Sequence, residues 1–279
     1  MQGRAPRTLT RYRYVVRQFR VHAQIEDIGD VGPNNVKALF YWGRTERGWS
    51  VNTFLNVHKT LKVFFRWCIR EGYMDGNYVD DIEVPRLEKR LVTKLTAEQA
   101  LRILEVVYNF PGQGEFERAR NHAMMAVYLF AGLRRQELLK LTVTDVDLND
   151  MSIFVRQAKG AKDRIVPIST RLGETLRRYQ ALRTRAGRTC PEFFTSCWRN
   201  IPVSDTVLKR LVERTRKAIG MKFTVHQLRH TFATLMLEGG CDIYALSKML
   251  GHSDIKTTTI YLAASSQHLR AQIRKHPLN

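Results

Sequence analysis

The stretch Val84–Thr96, VPRLEKRLVTKLT, constrains the fold most, because it separates two long helical patterns. Pro85 prevents a preceding helix from continuing, and the charged residues that follow are typical of a linker. Thr96 and Gln99 then have the spacing of a capping box at the start of an amphipathic helix. The sequence therefore predicts an N-terminal domain over residues 1–84, a linker over residues 85–95 and a second domain over residues 96–279.

Helical periodicity dominates both parts of the chain. In the first part, the apolar spacing predicts helices over residues 8–23, 34–44 and 50–71. In the second part, residues 151–169 interrupt the helices with two apolar runs around a short basic turn, the pattern of a β-hairpin. The expected fold is mainly α with a small β-hairpin or sheet: an N-terminal helical domain followed by an α+β domain.

The charge of the chain limits its partners. It has 46 Lys and Arg against 26 Asp and Glu, a formal net charge of +20. Such a surface repels itself unless a polyanion offsets it. The charge favours nucleic acid as that polyanion, because each phosphate contact also releases counterions. Six arginines precede the first acidic residue, Glu26, which predicts a basic N-terminal arm or helix, although a solvated helix face has the same pattern.

Two basic residues occupy positions from which they can bind an anion. Gly132 interrupts an apolar helix, and Arg134 follows near the start of the next one, where a guanidinium and backbone N–H groups can point at a phosphate. Lys159 lies at the tip of the hairpin and can reach into a groove, with Lys162 as a rival for that role. Each pattern taken alone also fits an ordinary surface residue.

A third pattern places three polar residues on one helix face. His226, Arg229 and His230 follow the N-cap Thr224 at positions i, i+3 and i+4. Two histidines at this spacing can bind a metal. However, the fixed charge of Arg229 opposes a cation, and Gln227 stands where a zinc protease has glutamate. A phosphate therefore fits this face better than zinc does.

The last pattern is GCDIYALSKMLGHSDIKTTTIYL, residues 240–262. Asp242 caps a helix that ends at Gly251, His252 follows in the turn, and a further helix carries Tyr261. Read locally, this segment also has the form of a DNA-binding helix-turn-helix.

These motifs follow one another in a fixed order: Gly132-Leu133-Arg134, Lys159, His226-x-x-Arg229-His230, Leu250-Gly251-His252 and Tyr261. Together they resemble the tyrosine recombinase (phage integrase) family, above all its short two-domain integrases and Xer-type resolvases. The resemblance implies six catalytic residues: Arg134, Lys159, His226, Arg229, His252 and Tyr261. In that scheme the arginines bind the scissile phosphate, the lysine protonates the leaving 5′ oxygen, the histidines complete the pocket and the tyrosine attacks phosphorus. Glu137 and His230 match positions that support the site.

This chemistry suits the residue types present. Two guanidinium groups supply fixed positive charge to the non-bridging oxygens of a phosphodiester as it is attacked. A 3′-phosphotyrosine link retains the phosphoester, so strands rejoin without ATP, and the resemblance implies neither a metal nor another cofactor. The expected function is site-specific DNA recombination, for integration, excision or resolution of DNA.

The resemblance also implies the partners: double-stranded DNA with a specific paired target site, and a homotetramer on two such sites, assembled by exchange of the tail after Tyr261. Basic residues on both domains are candidates for DNA contacts: Arg11, Arg13, Arg17, Lys59, Lys62, Arg66, Lys162, Arg177, Arg178, Lys209, Arg210, Arg214 and Lys217. The chain shows no apolar run of transmembrane length, and its four cysteines lack zinc-knuckle spacing. We therefore expect a cytoplasmic, nucleoid-associated protein without a membrane partner.

Three alternatives remain open at this point. A type IB topoisomerase shares the nucleophile and the arginine pair but rejoins the same strand. A helix-turn-helix protein without catalysis would explain the charge. It would not explain why Arg134, Lys159 and His226 occur in the same chain as that segment. A metal nuclease could be built on His226, His230 and His252.

Overall fold

The computed structural model describes residues 6–86, 94–156, 163–252 and 257–259. The chain divides into two compact units, residues 1–90 and 91–279, which are described separately below. Within the described ranges, no helix combines the length and the apolar character needed to cross a bilayer.

The first unit consists of three α-helices: α1 (Pro6–Ala23), α2 (Pro33–Thr45) and α3 (Val51–Arg70). Their ends lie within two residues of the predicted bounds. Ser50 caps α3, since its side chain accepts a hydrogen bond from the Thr53 N–H. The helices enclose an apolar core in which Phe19 of α1 meets Phe65 of α3 edge to face, with ring centroids 5.6 Å apart. Cys68 is buried in this core.

The second unit is built around one central helix. Its elements are α4 (Ala97–Tyr108), α5 (Glu115–Phe130), α6 (Arg135–Lys140), β1 (Val146–Asp147), β2 (Ser152–Val155), β3 (Arg164–Pro167), α7 (Thr170–Arg185), α8 (Asp205–Ile219), α9 (Val225–Glu238) and α10 (Ile243–Leu250). Helix α5 packs against α4, α7 and α9. Ten of its sixteen residues are buried, so it reads as a core helix rather than as an amphipathic one.

The predicted hairpin is present, but it belongs to a larger sheet. Strands β2 and β3 pair antiparallel, from Ser152 opposite Pro167 to Val155 opposite Arg164. The two-residue strand β1, which the sequence did not predict, pairs with β2 and makes a three-stranded sheet in the order β1-β2-β3. A strand this short has no alternation to reveal it.

Two glycines set the chain path into the site. Gly132 follows α5 with φ of 61°, and a Cβ there would lie 2.3 Å from the ring of Phe232. Gly251 ends α10 with φ of 64°. Both positions have a left-handed backbone, and at Gly132 no side chain fits.

Candidate active site

Arg134 is the N-cap residue of α6, and Glu137 in the first turn accepts hydrogen bonds from both its backbone and its side chain. The Arg134 backbone N–H donates to Glu137 Oε2 over 2.7 Å, and Nη1 donates to Oε1 over 2.8 Å. This backbone N–H is therefore not free to bind a phosphate, because the Glu137 carboxylate accepts from it. The guanidinium remains available, since the Arg134 side chain is 41% exposed.

Arg229 lies beneath the surface, where α9 crosses the end of α5. Its side chain is only 4% exposed. Nη1 donates to the Gly132 carbonyl over 2.6 Å, and Nη2 donates to the Leu250 carbonyl over 2.7 Å. Nη2 also lies 3.3 Å from His252 Nε2. Arg229 thus joins three chain segments: the end of α5, α9 and the turn after α10.

Three histidines complete this side of the site. The rings of His226 and His230 lie 4.2 Å apart in an edge-to-face arrangement on α9. His252 Nδ1 lies 2.8 Å from Thr258 Oγ1, in the helical turn 257–259. Thr258 precedes Tyr261 by three residues in the sequence.

Burial and positive neighbours keep these imidazoles uncharged at neutral pH. Burial, followed by the charge of Arg229 and then of Arg134, lowers the pKa of His252 to about 4. Burial, followed by its histidine and arginine neighbours, lowers the pKa of His230 to about 4, and burial and Arg229 lower the pKa of His226. A neutral imidazole can accept a proton, which suits a group that assists a nucleophile.

An open groove of about 940 Å³ brings these groups together. Five of the predicted catalytic and supporting residues line it: Arg134, His226, Arg229, His230 and His252. Lys209 and Arg210 of α8 lie along its other wall. Glu137 lies outside that lining, behind Arg134. Lys159, Lys162 and Tyr261 fall outside the described residues.

Arg164 is a site residue that sequence reasoning missed. Its guanidinium contacts both oxygens of Glu137, at 2.9 and 2.8 Å. A signal was available, because in β3 Arg164 and Val166 face inward while Ile165 is 62% exposed. An arginine at an inward-facing strand position requires a buried partner.

The predicted DNA contacts fall into two groups. Some of these side chains already have protein partners: Lys62 pairs with Asp80, Arg178 with Glu115 and Lys209 with Asp205, while Arg11 contacts Asn56, Arg177 the Leu148 carbonyl and Arg214 the Pro111 carbonyl. The others are exposed and form no ion pair within the described part of the chain: Arg13, Arg17, Lys59, Arg66, Arg210 and Lys217. Among the described residues, no group of three or more His, Cys, Asp or Glu is arranged to hold a metal ion.

Comparison with known proteins gives consistent matches. The model of the phage integrase family matches residues 93–268, and that of the phage integrase N-terminal SAM-like domain matches residues 1–75. The chain is 31% identical to the tyrosine recombinase XerA of Pyrococcus horikoshii, over 100% of this chain and 90% of the relative. It is 33% identical to XerA of Thermococcus kodakarensis, over 100% and 92%. A solved XerH site-specific recombinase bound to its difH substrate has the same fold, with a TM-score of 0.76 and 22% identity over 96% of this chain and 79% of that one.

Proposed function

The chain belongs to the phage integrase family, and we propose that it acts as a site-specific DNA recombinase that cuts and rejoins strands through Tyr261. One observation carries this proposal: Arg134, Arg229 and three neutral histidines converge on one open groove. The groove offers fixed positive charge together with proton acceptors, which is what attack on a phosphodiester needs. The partner in this reaction is DNA.

The two arginines have complementary tasks in the proposed reaction. The guanidinium of Arg134 is partly exposed and can donate to a non-bridging phosphate oxygen. Arg229 is buried and rigidly held, so its charge acts at short range from the floor of the groove. Because both guanidinium groups are oriented before DNA arrives, little reorganisation is needed as negative charge develops on the non-bridging phosphate oxygens.

In the proposed chemistry, the Tyr261 oxygen attacks phosphorus and the bond from phosphorus to the 5′ oxygen breaks. The hydroxyl proton of the tyrosine passes to a neutral histidine, for which His252 and His226 are the candidates. Lys159 donates a proton to the leaving 5′ oxygen. The products are a 3′-phosphotyrosyl link and a free 5′ hydroxyl, and reversal of the same steps on a new 5′ end joins the exchanged strand.

The nucleophile can be tested directly. The DNA probe is a nicked suicide duplex that carries two inverted copies of the sequence the protein selects from a random duplex pool. With EDTA present, we expect a protein–DNA adduct that survives boiling in detergent, and no adduct with Tyr261→Phe. An adduct in both proteins would place the nucleophile elsewhere. Transfer of the strand to a second duplex then separates a recombinase from a type IB topoisomerase.

The finer features of the family are also part of the proposal. Residues 1–84 and the catalytic domain both bind the duplex, and four protomers assemble on two sites by exchanging their tails. The retained phosphoester and the arrangement of charged groups require no metal. The exposed basic side chains on α1, α3 and α8 bind phosphates and thereby set the register of the protein on DNA.

A further inference from the structure

We propose that Arg164 is a positioning residue of this site, which holds Glu137 and the turn after α10 so that Arg134, Arg229 and His252 meet the scissile phosphate. The inference rests on the recombinase function proposed above. It concerns a residue that does not line the groove and whose hydrogen bonds, in the described part of the chain, go to Glu137 and the Met249 carbonyl.

The first observation is the fork between Arg164 and Glu137. The Arg164 side chain is 6% exposed, and Nη1 and Nη2 donate to Oε1 and Oε2 of Glu137 over 2.9 and 2.8 Å. This parallel, charge-assisted pair fixes the plane of the carboxylate. The other acceptor sites of the same carboxylate receive the backbone N–H and Nη1 of Arg134. The orientation of Arg134 therefore depends on the orientation that Arg164 gives to Glu137.

The second observation is that three successive carbonyls at the end of α10 each accept from a different arginine. Arg164 Nε donates to Met249 over 2.7 Å, Arg229 Nη2 to Leu250 over 2.7 Å and Arg134 Nη2 to Gly251 over 2.9 Å. The last carbonyls of a helix lack partners within the helix and form the negative end of its dipole, so cations stabilise them. His252 follows this turn directly. The three contacts therefore fix the backbone position from which the His252 side chain extends.

The third observation is the place of Arg164 in the sheet. It lies opposite Val155, at the end of the β2–β3 pairing from which the chain continues into residues 157–162. Lys159 belongs to that segment. Arg164 therefore ties the end of the strand pair that leads into residues 157–162 to the carboxylate that holds Arg134, and so links the sheet to the arginine site.

The charge state of Glu137 provides a readout of this role. Burial raises its pKa, but the hydrogen bonds and charge of Arg164, followed by those of Arg134, outweigh burial and hold the pKa at about 2. Charged and titratable groups face the carboxylate from several elements: Arg134 at α6, Arg164 on β3, Arg229 on α9 and Tyr128 on α5. Lys140, Asp145 and Arg156 line the cavity on its other side. Without Arg164, the pKa of Glu137 rises. Cleavage then falls as the pH drops through the new value, because a protonated Glu137 no longer holds Arg134.

The experiment compares Arg164→Met and Arg164→Lys with Arg120→Met. Arg120 is a matched control, since it is 3% exposed, lies 3.8 Å from Glu117 and donates to the Thr195 carbonyl away from the groove. With the suicide duplex described above, we expect Arg164→Met to slow single-turnover cleavage about 100-fold, the scale of a small misplacement of reacting groups. The dissociation constant for DNA should not change, and Arg164→Lys should recover part of the rate. Arg120→Met should lose thermal stability but not cleavage rate.

Further measurements separate positioning from loss of folding. In its pH–rate profile, the Arg164→Met protein should gain an acid limb in addition to the one that protonation of His226 and His252 gives the wild type, and adding Glu137→Gln should remove only that additional limb. Cleavage at the wild-type rate in Arg164→Met, or a loss confined to stability as in Arg120→Met, would overturn the proposal.

Failure of the recombinase function would be recognised separately, as the absence of any adduct in the wild type. In that case the side-chain NMR signals of His252 in the DNA-free protein still show whether Arg164 positions this residue. Arg164→Lys keeps the charge, so a displaced His252 signal in that variant reports position and supports the proposal. An unchanged signal overturns it.

Discussion

At the scale of single residues, the site depends on a glycine whose backbone packs too closely against a neighbouring ring to allow a side chain. Gly132 has φ of 61°, and a Cβ there would meet the Phe232 ring at 2.3 Å. Gly132→Ala should therefore combine the left-handed backbone penalty with overpacking, about 2–4 kcal/mol of unfolding free energy in urea titrations. Gly187 is the matched control, with φ of 62° and nothing within 4 Å of a Cβ. Gly187→Ala should cost only the backbone penalty, and equal losses in both variants would contradict the packing argument.

The buried imidazoles make folding stability depend on pH. His230 and His252 each have a pKa of about 4 in the folded protein, below the ordinary value of about 6.5. The unfolded chain therefore binds these protons at higher pH than the folded protein does. The free energy of unfolding should fall as the pH drops from about 6.5 towards 4. Carboxylates add to this loss near the acid end, so the wild type is compared with His252→Gln, which should show a shallower dependence. Parallel curves would disprove the contribution of His252.

The sequence predicted most of these residues but not how they are held. Arg134, Arg229, His226 and His252 were recognisable because each stands in a motif at a fixed place in the chain order, and all four line one groove. Arg164 has no motif of its own, and its role follows from contacts with residues 27 and 85 positions away. Such long-range pairings depend on the tertiary fold, which local patterns do not specify.

At the scale of elements, helix caps decide how firmly the site residues are held. Thr224 caps α9, the helix of His226, Arg229 and His230, by accepting from the Gln227 N–H over 3.1 Å. Thr224→Ala should cost about 1 kcal/mol of stability and should also slow cleavage, because the first turn that carries His226 frays. Ser169 caps α7 in the same way, away from the groove. Ser169→Ala should show a similar stability loss in thermal unfolding without slower cleavage, and a cleavage defect of equal size would contradict this view.

The same scale shows which elements a sequence can predict. The three helices of the first unit and the capping boxes at Thr96 and Thr224 were predictable, because periodicity and caps are local properties. Strand β1 was not, since two residues carry no period. Helix α5 buries both of its faces, so its full length from Glu115 shows no polar stripe by which to recognise it.

At the scale of the whole molecule, the net charge of +20 should make DNA binding strongly dependent on salt. Each phosphate contact adds about 0.9 to the slope of log affinity against log salt concentration. Arg210→Gln on α8 should lower that slope by about 1 and weaken binding to all sequences alike. Arg185, which pairs with Glu115 over 2.9 Å on α7, is the control, and Arg185→Gln should leave the slope unchanged. An unaltered slope in Arg210→Gln would remove this residue from the proposed phosphate contacts.

Assembly on DNA should depend on the end of the chain. The proposed tetramer uses the tail after Tyr261, which lies outside the described residues. Deleting residues 265–279 should therefore reduce the paired, higher-order complexes on a native gel, while a single protomer still binds its half-site. Normal formation of those complexes by the shortened chain would refute tail exchange.

The three arginines at the end of α10 have a consequence for how this segment tolerates change. They bind the main-chain oxygens of Met249, Leu250 and Gly251, atoms that every amino acid supplies. Hydrogen bonds therefore restrict none of these side chains: packing limits Leu250, and backbone conformation limits Gly251. A deep mutational scan should accordingly find position 249, whose side chain is only partly buried, more permissive than positions 250 and 251, while Arg134 and Arg229 should reject even lysine and Arg164→Lys should retain only part of the activity. Natural variation would then collect at position 249 and be almost absent from the arginines that hold this segment.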